Sequence, residues 1–535
     1  MKPLATDRRD ARATFARAVG CAAVVVAGVV VAVLRRFVQD DAFISFRYAK
    51  NLSDGLGLVW NVGERVEGYT NFLWTLMMAP AFKIGVDIVV WSWALSIACF
   101  AAVLLMISTW RGAAAFARFA AAGLVVANYS LSSYATGGLE TQLVTASVVA
   151  SAWLLAAERP TLAAVASAMA MMTRMDAVLL LIPFWLSSIF PGGWRAGLRG
   201  IRPRPLLSGV AVAAVPVLAW LLWRHSYYGA WVPNTFLVKG GASPVRGILY
   251  VSLFFLIYGW FLPPLVDSVV RGWRATFRDL TCRSHAMAFA VALHLAYVAL
   301  VGGDFMEFRM IVPCAPFIAL LLAELLDRRR WLLVVLLALG PFGAPLLLPP
   351  RPISSVHDLN RMAEDWTSDA KVLDAILGED GRDVRIALTP AGVIPFYTGL
   401  YALDELGLNS REVALGGERI KPLHRILGNL PGHCVKATWK QIRDAGVNLV
   451  IDHPWLVGRP VEDVLPLDEE GRVRRDAFNA MHPLLHVDIP PRSGARIVAW
   501  PAGEAKWWIM VLAESCDATD RAIRRTAAKV YDLDS

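Results

Sequence analysis

Apolar runs recur through the first two thirds of this chain, near residues 18–34, 71–84, 88–110, 113–128, 138–157, 161–173, 176–190, 205–223, 246–263, 285–301, 310–326 and 331–349. Repetition at this density leaves few folds open. A backbone surrounded by hydrocarbon must satisfy its own N–H and C=O groups, so such segments are read as helices, each needing about 20 residues to span a bilayer. Composition agrees: 56% of the 535 residues are hydrophobic and 18% charged, with mean hydropathy +0.49. A soluble protein of this length could not bury that much apolar surface. The chain is expected to be a polytopic α-helical membrane protein.

The net charge of +9 does not point to nucleic acid, because the basic residues are scattered through short loops as topology signals and contacts for membrane lipids. Lys2, Arg8, Arg9, Arg12 and Arg17 precede the first apolar run. No small-residue cleavage site follows, so an uncleaved first helix is expected. The positive-inside rule places the N-terminus, Arg111 and Arg118, the group Arg195, Arg199, Arg202 and Arg204, the group Arg271, Arg274, Arg278 and Arg283, and Arg328–Arg330 in the cytoplasm. Twelve full crossings would break that parity. Reading 71–84 as an interfacial or re-entrant helix restores it, leaving about eleven transmembrane helices plus interfacial helices and an extracytoplasmic C-terminus.

A Pro-rich boundary (LLLPPRPIS) divides a membrane domain, 1–349, from a tail, 350–535. In the tail EDWTSDAKVLDAIL is amphipathic, while DVRIAL and VNLVID read as short buried strands. A C-terminal extracytoplasmic α/β domain is expected. Its two cysteines, Cys434 and Cys516, would be free to pair in an oxidising exterior.

This topology gathers the distinctive polar residues on the outer side. QDDAFISFRYAK carries Asp40, Asp41 and Arg47 just past the first crossing. In a helix over 41–52, Asp40 and Arg47 share a face, and a carboxylate at a low-dielectric boundary suits a general base. Asp40 and Asp41 would equally serve as helix-start residues. GERVEGYTNFLW supplies Glu67, Tyr69 and Asn71; TGGLET supplies Glu140; TRMD supplies Arg174 and Asp176. YYGAWVPNTFLVK supplies Tyr228, Asn234 and Lys239, GGDFMEFR supplies Asp304, Glu307 and Arg309, and PGHCVK supplies His433. Lys239 and Arg309, with Arg47, are candidates for holding a phosphate at the headgroup level, since lysine acts as a point charge and arginine as a fork. Snorkelling to lipid headgroups is the plainer alternative, but the turns shaped by Gly302-Gly303 and Pro233-Asn234 favour phosphate binding. The sequence has no HExxH, CxxC, Walker loop or GxSxG, which disfavours zinc hydrolysis, thiol redox chemistry, ATP hydrolysis and acyl transfer.

In order, DDAFISFRYAKNLSDGLGLVWNVGERVEGYTNFLW, TGGLET, TRMD, YYG…PNTF…K, GGDF…R and PGH resemble the actinobacterial arabinofuranosyltransferase B group of the GT-C superfamily. The likeness runs to about residue 435; Met175 and Cys434 depart from the pattern. The resemblance implies a multi-pass enzyme of the bacterial inner membrane with its active site outside. It implies a polyprenyl-phosphate (decaprenyl) arabinofuranose donor and a cell-envelope glycan acceptor such as arabinogalactan or lipoarabinomannan. Asp40 or Asp41 would be the catalytic base, Asp40 being preferred for its face shared with Arg47. Lys239, Arg309 and Arg47 would bind the donor phosphate. Glu67, Tyr69, Asn71, Glu140, Arg174, Asp176, Tyr228, Asn234, Asp304 and His433 would line the substrate site. A divalent cation (Mg or Ca) on Asp40, Asp41 and Glu67 is compatible with oxygen ligation. Another lipid-linked sugar, a pilin-like protein acceptor, or a lipid-linked sugar flippase are the alternatives. A flippase should line a path through the bilayer, whereas here the charges concentrate at one face.

Overall fold

The computed structural model describes residues 4–189, 203–238, 243–272, 282–349, 353–420, 427, 432–481, 487–502 and 506–534. Lys239 lies outside the described residues, as do the loop arginines Arg195, Arg199, Arg202, Arg274 and Arg278.

The first part of the chain is helical. Among the described residues, Thr14–Leu34, Ile88–Ser108 and Leu207–Tyr228 are each long and apolar enough to cross a membrane. Pro244–Ile257 and Leu262–Arg271 pass the same test together but bend by 76° at their break. Eight shorter apolar helices complete the bundle, so length alone does not fix the expected number of crossings. One of the short helices is Phe72–Ile84, the segment read as interfacial. Its N-cap is Asn71, and Gly85 ends it in the left-handed region.

Small and hydroxylated residues hold the helices together. Ser151 and Ser167 share a hydrogen bond of 2.8 Å between adjacent helices, and Trp185 Nε1 donates to the same Ser167 oxygen at 3.0 Å. Gly247 meets the backbone of Ala299 so closely that a Cβ would collide with its carbonyl. Such contacts are how helices associate where lipid removes the hydrophobic drive between them.

The C-terminal part is built on a six-stranded sheet of order β2-β1-β5-β7-β6-β8. β1 (Arg385–Leu388), β2 (Tyr401–Asp404) and β5 (Leu449–Val457) run parallel. β6 (Arg496–Pro501), β7 (Trp507–Leu512) and β8 (Lys529–Asp532) extend the sheet antiparallel from β5. A ribbon of β3 (Glu418–Arg419) and β4 (Val435–Lys436) stands apart. The strands expected in DVRIAL and VNLVID are β1 and the start of β5, and EDWTSDAKVLDAIL falls in the Val356–Leu377 helix. That helix begins with Ser355 capping the Asp358 N–H at 3.1 Å. Cys434 and Cys516 are both free thiols.

The carboxyl ends of the parallel strands point the fold toward its site. β1 passes into a loop and the short helix Val393–Thr398, which packs on the Asp40–Ser53 helix of the membrane part. At the same ends Asp404 accepts from the backbone N–H groups of Leu406 and Asn409 at 3.0 and 2.8 Å. Next to it, Glu405 is buried against Asp452, which sits at the β5 bulge with φ +51°.

Burial and the neighbouring Asp452 raise the Glu405 carboxyl well above its ordinary range. The folded state therefore holds a proton there that the unfolded chain releases near 4.5, so stability falls as pH rises above that value. Glu405→Gln removes the demand for that proton. It should flatten the fall in melting temperature as pH is raised from acid to alkaline, leaving the variant the more stable at the alkaline end. Thermal melts of both proteins across that range test this; parallel curves would show that Glu405 is not the titrating group.

Candidate active site

The first helix, Leu4–Leu34, gives way to a short extended linker before the Asp40–Ser53 helix begins. In that linker the Val38 N–H donates to Asn360 Oδ1 at 3.2 Å, which already ties it to the tail. Gln39 is the N-cap, in extended conformation and without a side-chain bond, so Asp40 and Asp41 both stand in the first turn.

Both Asp40 oxygens accept backbone N–H groups from the C-terminal domain, Oδ2 from Gly392 at 3.1 Å and Oδ1 from Val393 at 2.7 Å. A Cβ at Gly392 would collide with the Asp40 carbonyl, so only glycine allows this approach. Two turns on, Arg47 is buried and donates to the carbonyls of Trp60, Pro395 and Leu400 and to Asn61 Oδ1.

Asp40 and Arg47 therefore do share a face, as the sequence suggests, but the face meets the Val393–Thr398 helix rather than a substrate cleft. The acid sits at that helix's N-terminus and the cation at its C-terminal carbonyls, each at the end of the dipole it complements. This corrects the assignment of Arg47 to the donor phosphate, since protein carbonyls and Asn61 occupy its guanidinium. Burial pushes the Asp40 carboxyl up to about 7 against the two backbone bonds. That value would suit a base, but the backbone N–H groups already occupy both oxygens. Asp41, the next residue, lies within electrostatic reach of Arg309.

A narrow cleft, with a cavity of about 20 Å³, lies among the helices, lined by Glu140, Thr141, Val144, Arg174, Asp176, His294, Arg309, Met310 and Pro313. Its polar groups form a connected chain. Ser45 Oγ and Thr75 Oγ1 both donate to Asn71 Oδ1, at 3.1 and 3.0 Å, which turns the Asn71 amide toward Glu140 Oε2 at 3.0 Å. Glu140 Oε1 in turn accepts from Arg174 Nη1 at 3.2 Å. The remaining Arg174 nitrogens form a fork on Asp176 at 2.9 and 3.2 Å. All three nitrogens of Arg174 are thus engaged by its two carboxylates.

Arg309 differs. Its Nε pairs with Asp304 at 3.0 Å, and its two terminal nitrogens make no hydrogen bond among the described residues. The loop that carries it is shaped for the purpose: Gly302 and Gly303 have φ of +86° and +69°, and buried Phe308 has φ +42°. A non-glycine residue in that region costs about 1–3 kcal/mol and persists where surrounding structure enforces it. His433 reaches the same loop from the C-terminal domain, its ring 5.7 Å from that of Phe305.

The other candidates are engaged in scaffolding. Glu67 forms a buried ion pair with Arg224 at 2.8 Å, and burial raises its carboxyl to about 7. Tyr69 and Tyr228 share a hydroxyl contact of 3.1 Å, and Tyr228 also donates to the Leu58 carbonyl. Asn234 donates to the carbonyls of Gly407 and Leu408 in the C-terminal domain. Glu307 accepts from Ser130 and from the Val356 N–H, joining the bundle to the tail. With Glu67 committed to Arg224 and Asp40 to backbone, the cation set of Asp40, Asp41 and Glu67 is not assembled. Among the described residues no group of three His, Cys, Asp or Glu side chains is placed to hold a metal. Two further residues escape sequence reasoning: Arg224 and His294 each sit in a long apolar helix, outside any polar motif.

No protein-family model matches the chain. It is 29% identical over 330 residues to a terminal beta-(1->2)-arabinofuranosyltransferase of Corynebacterium glutamicum, covering 54% of this chain and 47% of that protein. It is 30% identical over 336 residues to the protein of the same name from Mycobacterium tuberculosis, covering 54% and 52%. The chain thus spans about half the length of the curated relatives it matches. Its fold is that of ArnT from Cupriavidus metallidurans. The structure bound to undecaprenyl phosphate matches with TM-score 0.53 at 12% identity over 92% of this chain and 97% of that one. The apo structure matches with TM-score 0.54 at 14% identity over 94% and 98%. The resemblance drawn from the motifs and the likeness in fold point the same way.

The two acids should separate experimentally. If the chain carries the glycosyl transfer named for its relatives and Asp41 is the base, Asp41→Asn is expected to lower transfer by about 10²-fold or more with an unchanged melting temperature. Asp40→Ala should instead lower the melting temperature and speed proteolysis between the two parts of the chain. Equal effects of the two changes on activity and stability would refute this division.

Proposed function

We propose that this protein is a membrane glycosyltransferase that moves arabinofuranose from a polyprenyl-phosphate donor to a hydroxyl of a cell-envelope glycan on the outer face of the inner membrane. The observation that carries this reading is the open fork of Arg309 in a cleft bounded by apolar helices, with Asp41 in electrostatic reach. A lipid phosphate needs a cation at its headgroup, and Arg309 offers one among apolar helices. The sequence likeness to arabinofuranosyltransferases supports the sugar. The ArnT structure bound to undecaprenyl phosphate supports a lipid-phosphate donor for a chain of this fold. The reading includes about eleven crossings with the C-terminal domain outside, supported by the distribution of basic loops.

In this mechanism Asp41 accepts the proton of the acceptor hydroxyl while that oxygen forms a bond to the anomeric carbon. The bond between that carbon and the donor phosphate oxygen breaks, and its electron pair leaves with the phosphate. Charge grows on the phosphate as the bond stretches, and the Arg309 fork meets it with fixed donors that need no reorganisation. Arg174 does not bind phosphate in this scheme. It holds Glu140 and Asp176 in place and keeps the Asn71–Glu140 wall rigid. The sugar–phosphate bond is already activated, so the reaction requires no nucleotide.

Arg309→Ala should reduce kcat/KM for synthetic polyprenyl-phosphoryl arabinofuranose by about 10²-fold, and Arg309→Lys should recover part of it, since lysine restores charge without the fork. The test is transfer by purified protein from a panel of polyprenyl-phosphate sugars to a glycan acceptor. Turnover of hexose donors in preference to the arabinofuranosyl donor would overturn the proposed sugar. Unchanged kinetics in Arg309→Ala would overturn the proposed phosphate site.

A further inference from the structure

Two fully buried polar atoms on residues of the cleft wall have no partner among the described residues, one on His294, which lies in no motif, and one on Thr141, the last residue of TGGLET. His294 is 2% exposed, and its Nε2 lies 2.8 Å from the Met310 carbonyl. A carbonyl accepts, so that contact fixes the proton on Nε2 and leaves Nδ1 of the neutral ring as an acceptor. Nδ1 is buried without a hydrogen-bond partner. Thr141 is 3% exposed, and its Oγ1 is likewise buried and unpartnered. Both residues line the cleft that holds Arg309. An unsatisfied buried polar atom destabilises the fold, so a pair of them in one cavity wall points to a ligand that completes them.

The chemistry of the two atoms defines that ligand. A neutral imidazole nitrogen accepts and cannot donate, so a fully ionised phosphate gives it no partner. A hydrocarbon chain offers no hydrogen bond at all. A hydroxyl donates to Nδ1, and a second hydroxyl or ring oxygen can exchange a bond with Thr141 Oγ1. We propose that His294 and Thr141 recognise hydroxyl groups of the donor sugar, while Arg309 holds its phosphate. This rests on the glycosyltransferase reading and deepens it, by assigning sugar selection to two residues in the wall of the membrane helices. A site built to hydrogen-bond a hydroxyl strongly rejects the analogue that lacks it, because its own buried atoms then go unpaired.

The test compares arabinofuranosyl donors with analogues deoxygenated at each ring position in turn. Wild-type protein is expected to disfavour at least one deoxy donor by about 10²-fold in kcat/KM. His294→Gln keeps a donor for the Met310 carbonyl but moves the acceptor from Nδ1 to an amide oxygen off the imidazole's position. It should lose activity mainly on the intact donor, reducing that discrimination to a few-fold. Thr141→Val, nearly isosteric, should do the same at the same or an adjacent hydroxyl and covers the case in which His294→Gln does not fold. If wild type is active and either folded variant discriminates as wild type does, that residue has no recognition role; if both do, the proposal fails. If wild type turns over no polyprenyl-phosphate pentofuranose, the underlying functional reading fails instead.

Discussion

The clamp between the Asp40–Ser53 helix and the Val393–Thr398 helix is the contact on which the rest of the arrangement depends. Asp40 accepts the N–H groups of Gly392 and Val393, and Arg47 donates to the carbonyls of Pro395 and Leu400. Ionisable side chains thus tie both ends of one short helix, and hydrogen bonds to such groups contribute about 1.5–3 kcal/mol each when the group is charged. They fix where the C-terminal sheet sits above the apolar bundle. Phe43 and Phe46 pack against Phe396 between them, which keeps water from the two charged groups. The loop after β1 is thereby held beside the first turn that carries Asp40 and Asp41.

Within the cleft, the division between engaged and open cations follows from the cost of burying charge. Arg174 is surrounded by Glu140 and Asp176, with each of its three nitrogens already bonded. Arg224 and Glu67 make a second pair, deeply buried, with the arginine also over the Trp220 ring at 4.2 Å. Removing one partner from such pairs strands the other charge, typically at about 3–5 kcal/mol, so they fix geometry more than they add stability. Arg309 differs: among the described residues it is paired through one nitrogen and open through two. An arginine left half satisfied beside apolar helices is poised for an anion.

Much of this was legible in the residues themselves. The apolar runs gave the helical bundle, and the motifs TGGLET, TRMD and GGDFMEFR did supply the acids and arginines that meet in one cleft. The shared face of Asp40 and Arg47 was legible too, through helical periodicity, but not what that face would touch. Its partner lies about 350 residues later, in a segment whose local pattern carries no trace of the contact. Glu67 was read as a substrate-site residue, and its partner Arg224, 157 positions away, left no local trace. His294 gave no signal, since a single polar residue in an apolar helix has many structural explanations. Thr141 stood inside a motif, yet beside Glu140 nothing marked its hydroxyl as the one left unpaired.

The sequence by itself determined the solvent each segment requires and the types of charge available near the membrane boundary. Periodicity and hydropathy are local properties, and they act through neighbours a few residues apart. Only the tertiary structure decided which acid is spent on backbone N–H groups, which arginine keeps its donors, and which buried atoms stay unpaired. Those outcomes depend on contacts between distant segments, where a single backbone N–H or carbonyl arriving within about 3 Å changes a group from available to committed.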